Sequence, residues 1–219
     1  MFRGDTAALY ATMCAAMKAA KRLGHLQPRS EHLLIALCAG GTAAGGLLRR
    51  YGLGQDGVEA VITRAGVAPA AIEADRALLA AVGVDLDALL AEAGPDALTP
   101  RSGKPPRLPL GGRRAWPGAP DFRAAYEASL RLALARMERD HRPEHLLLAL
   151  LEFDRGCAWL LGQCGVDRQA LRSAVHSEFP PPRRNVFVRA ARSGTWQRRY
   201  RAIVRRYENT AGGPALTTG

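Results

Sequence analysis

Apolar positions recur at helical spacing along most of the chain. Leu9, Met13, Met17 and Ala20 follow one another every three or four residues, and so do Phe122, Tyr126, Leu130 and Leu134. This period predicts two long amphipathic helices, over 5–24 and 121–138. After each comes an apolar helix beginning near Glu31 or Glu144, then a short one ending in Leu47-Leu48 or Leu160-Leu161, then one after Gly52 or Gly165. Ser30 has the chemistry of an N-cap and Pro143 that of a first-turn residue. Glu31 and Glu144 therefore fall in first turns, where the helix dipole favours a carboxylate. Gly52 and Gly165 suit the left-handed residue that ends a helix. Two further helices are predicted at 68–81 and 85–93. Only Val186-Phe187-Val188 has strand character, and it is too short to build a sheet.

The two blocks are copies of one another. Residues 31–62 and 144–175 align without gaps at an offset of 113, matching Glu-His-Leu-Leu, Ala-Leu, Leu-Leu and the glycines at 52 and 165. The same shift carries 7–23 onto 120–136. An internal repeat of this kind outranks local signals in setting the architecture. The expected fold class is all-α: two pseudo-symmetric four-helix repeats with an inter-repeat helical extension and a basic C-terminal tail. The expected divisions are 1–98 (first repeat plus extension), 99–120 (linker), 121–179 (second repeat) and 180–219 (tail). The stretch 99–120 holds six prolines and four glycines, which oppose helix.

Charge sharpens this division. The chain of 219 residues has a net charge of +11. Residues 1–98 and 121–179 are each net −1, whereas 99–120 carry +5 and 180–219 carry +8. The repeats are near neutral, so any nucleic-acid contact belongs to the appendages. A candidate helix at 195–208 sets Trp196, Tyr200, Ile203, Val204 and Tyr207 in one stripe. Arg198, Arg199, Arg201, Arg205 and Arg206 cover its other faces. Three readings stay open for it: packing back on the repeats, binding an acidic protein, or gripping phosphates. Arg113, Arg114 and Trp116 read as solvated linker. No apolar run reaches membrane-spanning length, and the N-terminus has no signal-peptide pattern, so a cytoplasmic location is expected. Cys14, Cys38, Cys157 and Cys164 form no CxxC pair and read as small buried side chains.

Catalytic chemistry finds little support. His141, Glu144 and His145 spell H-x-x-E-H, the inverted zinc-protease motif. Pro143 disfavours helix at Arg142, so His141 precedes the helix and the two imidazoles do not share a face. His32 and His145 are expected to hydrogen-bond at helix starts. No P-loop, GxGxxG or GxSxG segment is present, and no Ser/His/Asp set stands out. No enzyme, metal or cofactor is expected.

The doubled pattern resembles the Clp N-terminal domain, the double four-helix repeat at the front of Clp AAA+ unfoldases, also found standing alone. Leu23-Gly24-His25 followed by Glu31-His32-Leu33-Leu34 looks like the family's LGH-x5-EHLL, and Glu144-His145-Leu146-Leu147 echoes it. Gly165-Val166-Asp167 is similar to the opening of the family's last helix. Met137-Glu138 stands where the family has Gly-His, Asp5-Thr6 for its Phe-Thr, and Ala119-Pro120 for its Thr-Pro. The linker is longer than the family's, and no ATPase module is in the sequence.

The resemblance implies a non-catalytic protein-binding module, an adaptor or decoy for Clp-dependent proteolysis. Its partners would be protein clients or Clp unfoldase and protease components. It also implies phosphoarginine-type pockets at Thr6 and Glu31 and at Ala119 and Glu144. A cyclic-peptide patch would lie near Phe2, with Arg123 at a basic position and Gly118 in place of a second Phe. The rival expectation is a nucleic-acid-associated regulator acting through the arginine-rich tail.

Overall fold

The computed structural model describes residues 3–65, 70–93 and 116–182. In chain order the elements are β1 (Gly4–Asp5), α1 (Ala7–Arg22), α2 (Ser30–Ala39), α3 (Ala43–Arg50), α4 (Gln55–Ala65), α5 (Ala70–Glu73), α6 (Arg76–Ala81), α7 (Leu86–Ala93), α8 (Pro120–Ala135), β2 (Asp140–His141), α9 (Pro143–Phe153), α10 (Arg155–Gln163) and α11 (Arg168–Glu178). The fold is all-α apart from one short parallel bridge, β1 to β2. The 113-residue shift carries α1 onto α8 and α4 onto α11, end to end, and α2 and α3 onto α9 and α10 within a residue.

Helices α2 and α9 are apolar nearly all round, and such helices must be enclosed. Leu33, Leu34 and Leu37 of the first and Leu146, Leu147, Leu150 and Leu151 of the second are fully buried. They sit in one hydrophobic cluster with Leu9, Met13, Phe122, Leu48 and Leu161, so both repeats share a single core.

Each repeat is laced to the other at equivalent places. The Thr6 amide donates to the His141 carbonyl at 2.9 Å, and the Ala119 amide to the Pro28 carbonyl at 2.9 Å. The donors are 113 residues apart, and so are the acceptors. The backbone ahead of each first helix is thus held by the segment ahead of the other repeat's second helix.

Several local expectations change. Ser30 is the first residue of α2, and the N-cap is Arg29. Ser30 instead gives its amide and hydroxyl to Asp121 Oδ2 of the other repeat. The helix expected over 68–81 is split into α5 and α6, with a turn at Ala74-Asp75. The end of the expected linker is folded: Pro120 opens α8, and Trp116 packs on Tyr10 with ring centroids 5.2 Å apart. Cys38 and Cys157 are buried, but Cys14 and Cys164 are half-exposed; all four are free thiols.

Four helix ends share one geometry. Gly24, Gly52, Gly83 and Gly165 have φ of +74°, +78°, +82° and +70°. The next amide in each case reaches back to close the last turn, as His25 does to the Ala20 carbonyl at 2.9 Å. The equivalent of Gly24 is Met137, whose φ is +58°.

Candidate functional site

The first-turn glutamates lie at the junction of the repeats. Glu31 is 2% exposed. Its Oε2 accepts the Ala70 amide of α5 at 2.9 Å, and its Oε1 lies 3.6 Å from His25 Nδ1. Burial raises its pKa to about 7, against the opposing pull of that amide and of Arg29. The extension therefore seals this carboxylate. Glu144 is 8% exposed, and its Oε2 has no hydrogen-bond partner. Arg142 Nε lies 3.8 Å away, beyond hydrogen-bond distance. Equivalent positions thus carry two buried carboxylates, one held by a backbone amide and one whose Oε2 has only the ion pair with Arg142.

The histidines of the two EHLL motifs act as caps. The Arg29 amide donates to His32 Nδ1 at 2.9 Å, and the Arg142 amide to His145 Nδ1 at 3.1 Å. The proton must then sit on Nε2. His32 Nε2–H faces His25 Nδ1 at 2.9 Å. Burial, with the charges of His25 and Arg29, lowers the His32 pKa to about 3. His145 Nε2 instead faces Glu138 Oε1 at 3.1 Å. Glu138 also binds Arg136 at 2.8 Å and pairs with Arg142. Burial alone would raise the Glu138 pKa; its contacts with His145, the hydrogen bond from Arg136 and the charge of Arg142 prevail and hold it at about 2.

His25, Glu31 and His32 place their ligand atoms within 4.8 Å of one another, a candidate metal cluster. The cap decides against it. The His32 nitrogen facing the cluster bears the proton, and a metal would have to displace that proton and break the helix start. The H-x-x-E-H string fails for the reason expected. His141 lies in β2, ahead of the helix, and turns its two nitrogens to Asp5 and Ser129.

A Ser/His/Asp line that the sequence did not suggest is present. Ser129 Oγ is 2.8 Å from His141 Nε2, and His141 Nδ1 is 2.8 Å from Asp5 Oδ1. These are relay distances. Ser129 and His141 are both 0% exposed, and Oγ also lies 2.7 Å from the Tyr126 carbonyl. Burial lowers the His141 pKa against the pull of Asp5. Tyr126 Oη donates to Asp5 at 2.8 Å. No substrate reaches this serine; the line ties β1 to α8. Asp5 is 136 residues from His141 in sequence, and the β1–β2 pairing brings it there.

The remaining predicted residues scatter. Thr6 is the N-cap of α1: its Oγ1 accepts from the Leu9 amide at 3.2 Å and donates to the His141 carbonyl at 3.1 Å. That hydroxyl is engaged in the fold. Arg123 is half-buried on α8. Gly118 has a physical cause, since a Cβ there would lie 2.6 Å from the buried Phe122 ring. Phe2 and the tail arginines Arg198, Arg199, Arg201, Arg205 and Arg206 lie outside the described residues. A cleft of about 430 Å³ at the meeting of α5 and α10 was not anticipated; Ala74, Phe153, Ala158 and Trp159 line it.

Fold and site together define an all-α, internally repeated protein in which the buried His32 and His145 cap equivalent helix starts. Residues 120–190 match the family model of the Clp repeat (R) N-terminal domain. It is also similar to the crystal structure of the N-terminal domain of the caseinolytic protease associated chaperone ClpD from Arabidopsis thaliana. That match has 19% identity and a TM-score of 0.48, over 81% of this chain and 96% of that one. No curated protein matches the chain.

Proposed function

We propose that the chain is a protein- and peptide-binding module that acts as adaptor or decoy in Clp-dependent proteolysis. The Glu144 carboxylate carries this reading: its Oε2 is buried, accepts no hydrogen bond and has only Arg142 Nε near it, at 3.8 Å. A buried acceptor without a donor is costly, and a cationic side chain relieves that cost with a charge-assisted hydrogen bond. The planar guanidinium of an arginine, free or phosphorylated on a client, suits a carboxylate recessed at a helix start. Glu31 is the closed member of the pair, so one pocket serves where the family pattern suggests two. For a cyclic peptide, the surface assigned in this reading is the exposed Tyr10 ring packed on Trp116.

The test is degradation of an arginine-phosphorylated unfolded protein by a Clp unfoldase–protease pair, with and without this chain. An adaptor speeds client loss and a decoy slows it. An unchanged rate at saturating chain contradicts the proposal.

A further inference from the structure

The extension between the repeats carries apolar surface that the body does not take up. Helix α5 packs on α10, and Arg155 of α10 pairs with Asp75 just beyond α5. Past that anchor, α6 and α7 pack on one another as a hairpin. Five of the six residues of α6 are alanine or leucine, yet none is buried. Leu78 is 59% exposed, Val82 at the end of α6 is 75% exposed, and Leu89 of α7 is 37% exposed. Three of the seven large hydrophobic residues exposed among the described residues thus stand on this one hairpin. Leu78 and Val82 lie four residues apart, one helical turn, and so share a side. A helix this short does not persist on propensity, and one this apolar calls for enclosure.

The rim of this surface is anionic. From Glu73 to Glu92 there are five acidic residues, Glu73, Asp75, Asp85, Asp87 and Glu92, against Arg76 alone. That one cation is spent within the extension: Arg76 Nε donates to Glu73 at 2.8 Å and Nη1 to Asp87 at 3.0 Å. Asp85 caps α7, its Oδ1 accepting the amides of Asp87 at 2.9 Å and Ala88 at 3.1 Å. Asp85, Asp87 and Glu92 are all exposed. A second copy of the chain would set two anionic rims against each other, which charge opposes. A helix with an apolar stripe and a cationic rim matches both features.

We propose that the α6–α7 hairpin is a docking surface for an amphipathic basic helix of a partner protein. The apolar stripe of that helix covers Leu78, Val82 and Leu89, and its lysines or arginines face Asp85, Asp87 and Glu92. The inference goes beyond the reading above and does not use Glu144, so either can fail without the other.

Fluorescence anisotropy on the full chain tests this, with a labelled amphipathic peptide of leucine and lysine as probe. The peptide should bind saturably. Leu78→Ser with Val82→Ser should weaken binding about tenfold or more, because both side chains lose the burial they gain in the complex. Both positions are exposed, so circular dichroism should show the fold retained. Asp87→Asn with Glu92→Gln should weaken binding at low salt and flatten its salt dependence. A scrambled peptide without an apolar face, and one with glutamate for lysine, should not bind. No binding by wild type, equal binding of the control peptides, or unchanged binding by the Leu78→Ser/Val82→Ser chain overturns the proposal. A dimer in sedimentation that this double variant abolishes overturns it too, because a second copy is then the occupant.

Discussion

Met137 sits in the left-handed region at φ +58° because α8 must end where α1 ends with Gly24. A Cβ there opposes the carbonyl, at about 1–2 kcal/mol for an L-residue. Glycine relieves that strain but loses more chain entropy on folding. Met137→Gly should therefore stabilise the fold by about 0.5–1 kcal/mol, read as a higher urea midpoint at unchanged slope. A lower midpoint would show that the Met137 side chain contributes more than its backbone costs. Glu31 gives a pH signature. The folded state keeps its proton up to about 7, while an ordinary glutamate releases it near 4.5. Between those values the folded state binds more protons, so stability falls as pH rises from 4.5 to 7 and then levels. Glu31→Gln should remove that decline. Glu138 works in the opposite sense, since its contribution is present above 4.5 and lost as pH falls towards 2.

Element scale shows most clearly what the sequence made legible. Periodicity and the 113-residue offset located the repeat helices, because helical spacing and repetition are properties of the chain itself. The Gly-His to Met137-Glu138 departure was visible too, and it marks where a histidine pair becomes a glutamate–arginine network. What stayed hidden is tertiary. Ser30 lost the cap because Asp121, remote in sequence, takes its amide, and β1 pairs with β2 across the whole first repeat. The Ser129–His141–Asp5 line depends on that pairing. Ala70 as the partner of Glu31 lay beyond any motif. Packing of α3 on α2 gives a sharp test. A Cβ on Gly45 would lie 2.3 Å from the Gly40 carbonyl oxygen and 2.5 Å from that of Leu37. Backbone cannot give way as a side chain can, so Gly45→Ala should cost about 1–3 kcal/mol in denaturant unfolding. Gly46→Ala, facing open space, should cost nothing measurable or gain slightly.

At the scale of the whole molecule, the two repeats form one body with unequal pockets. They share a core and two reciprocal amide ties, yet the extension closes Glu31 and leaves Glu144 open. In the function proposed above, this asymmetry leaves one binding position in a doubled fold. The most direct measurement is a calorimetric titration of the full chain with a short phosphoarginine peptide, run on wild type, Glu144→Gln and Glu31→Gln. The account predicts saturable binding that weakens about tenfold or more in Glu144→Gln, the loss of one charge-assisted hydrogen bond. Glu31→Gln should bind as wild type. Equal binding by wild type and Glu144→Gln, or none by any variant, would contradict it.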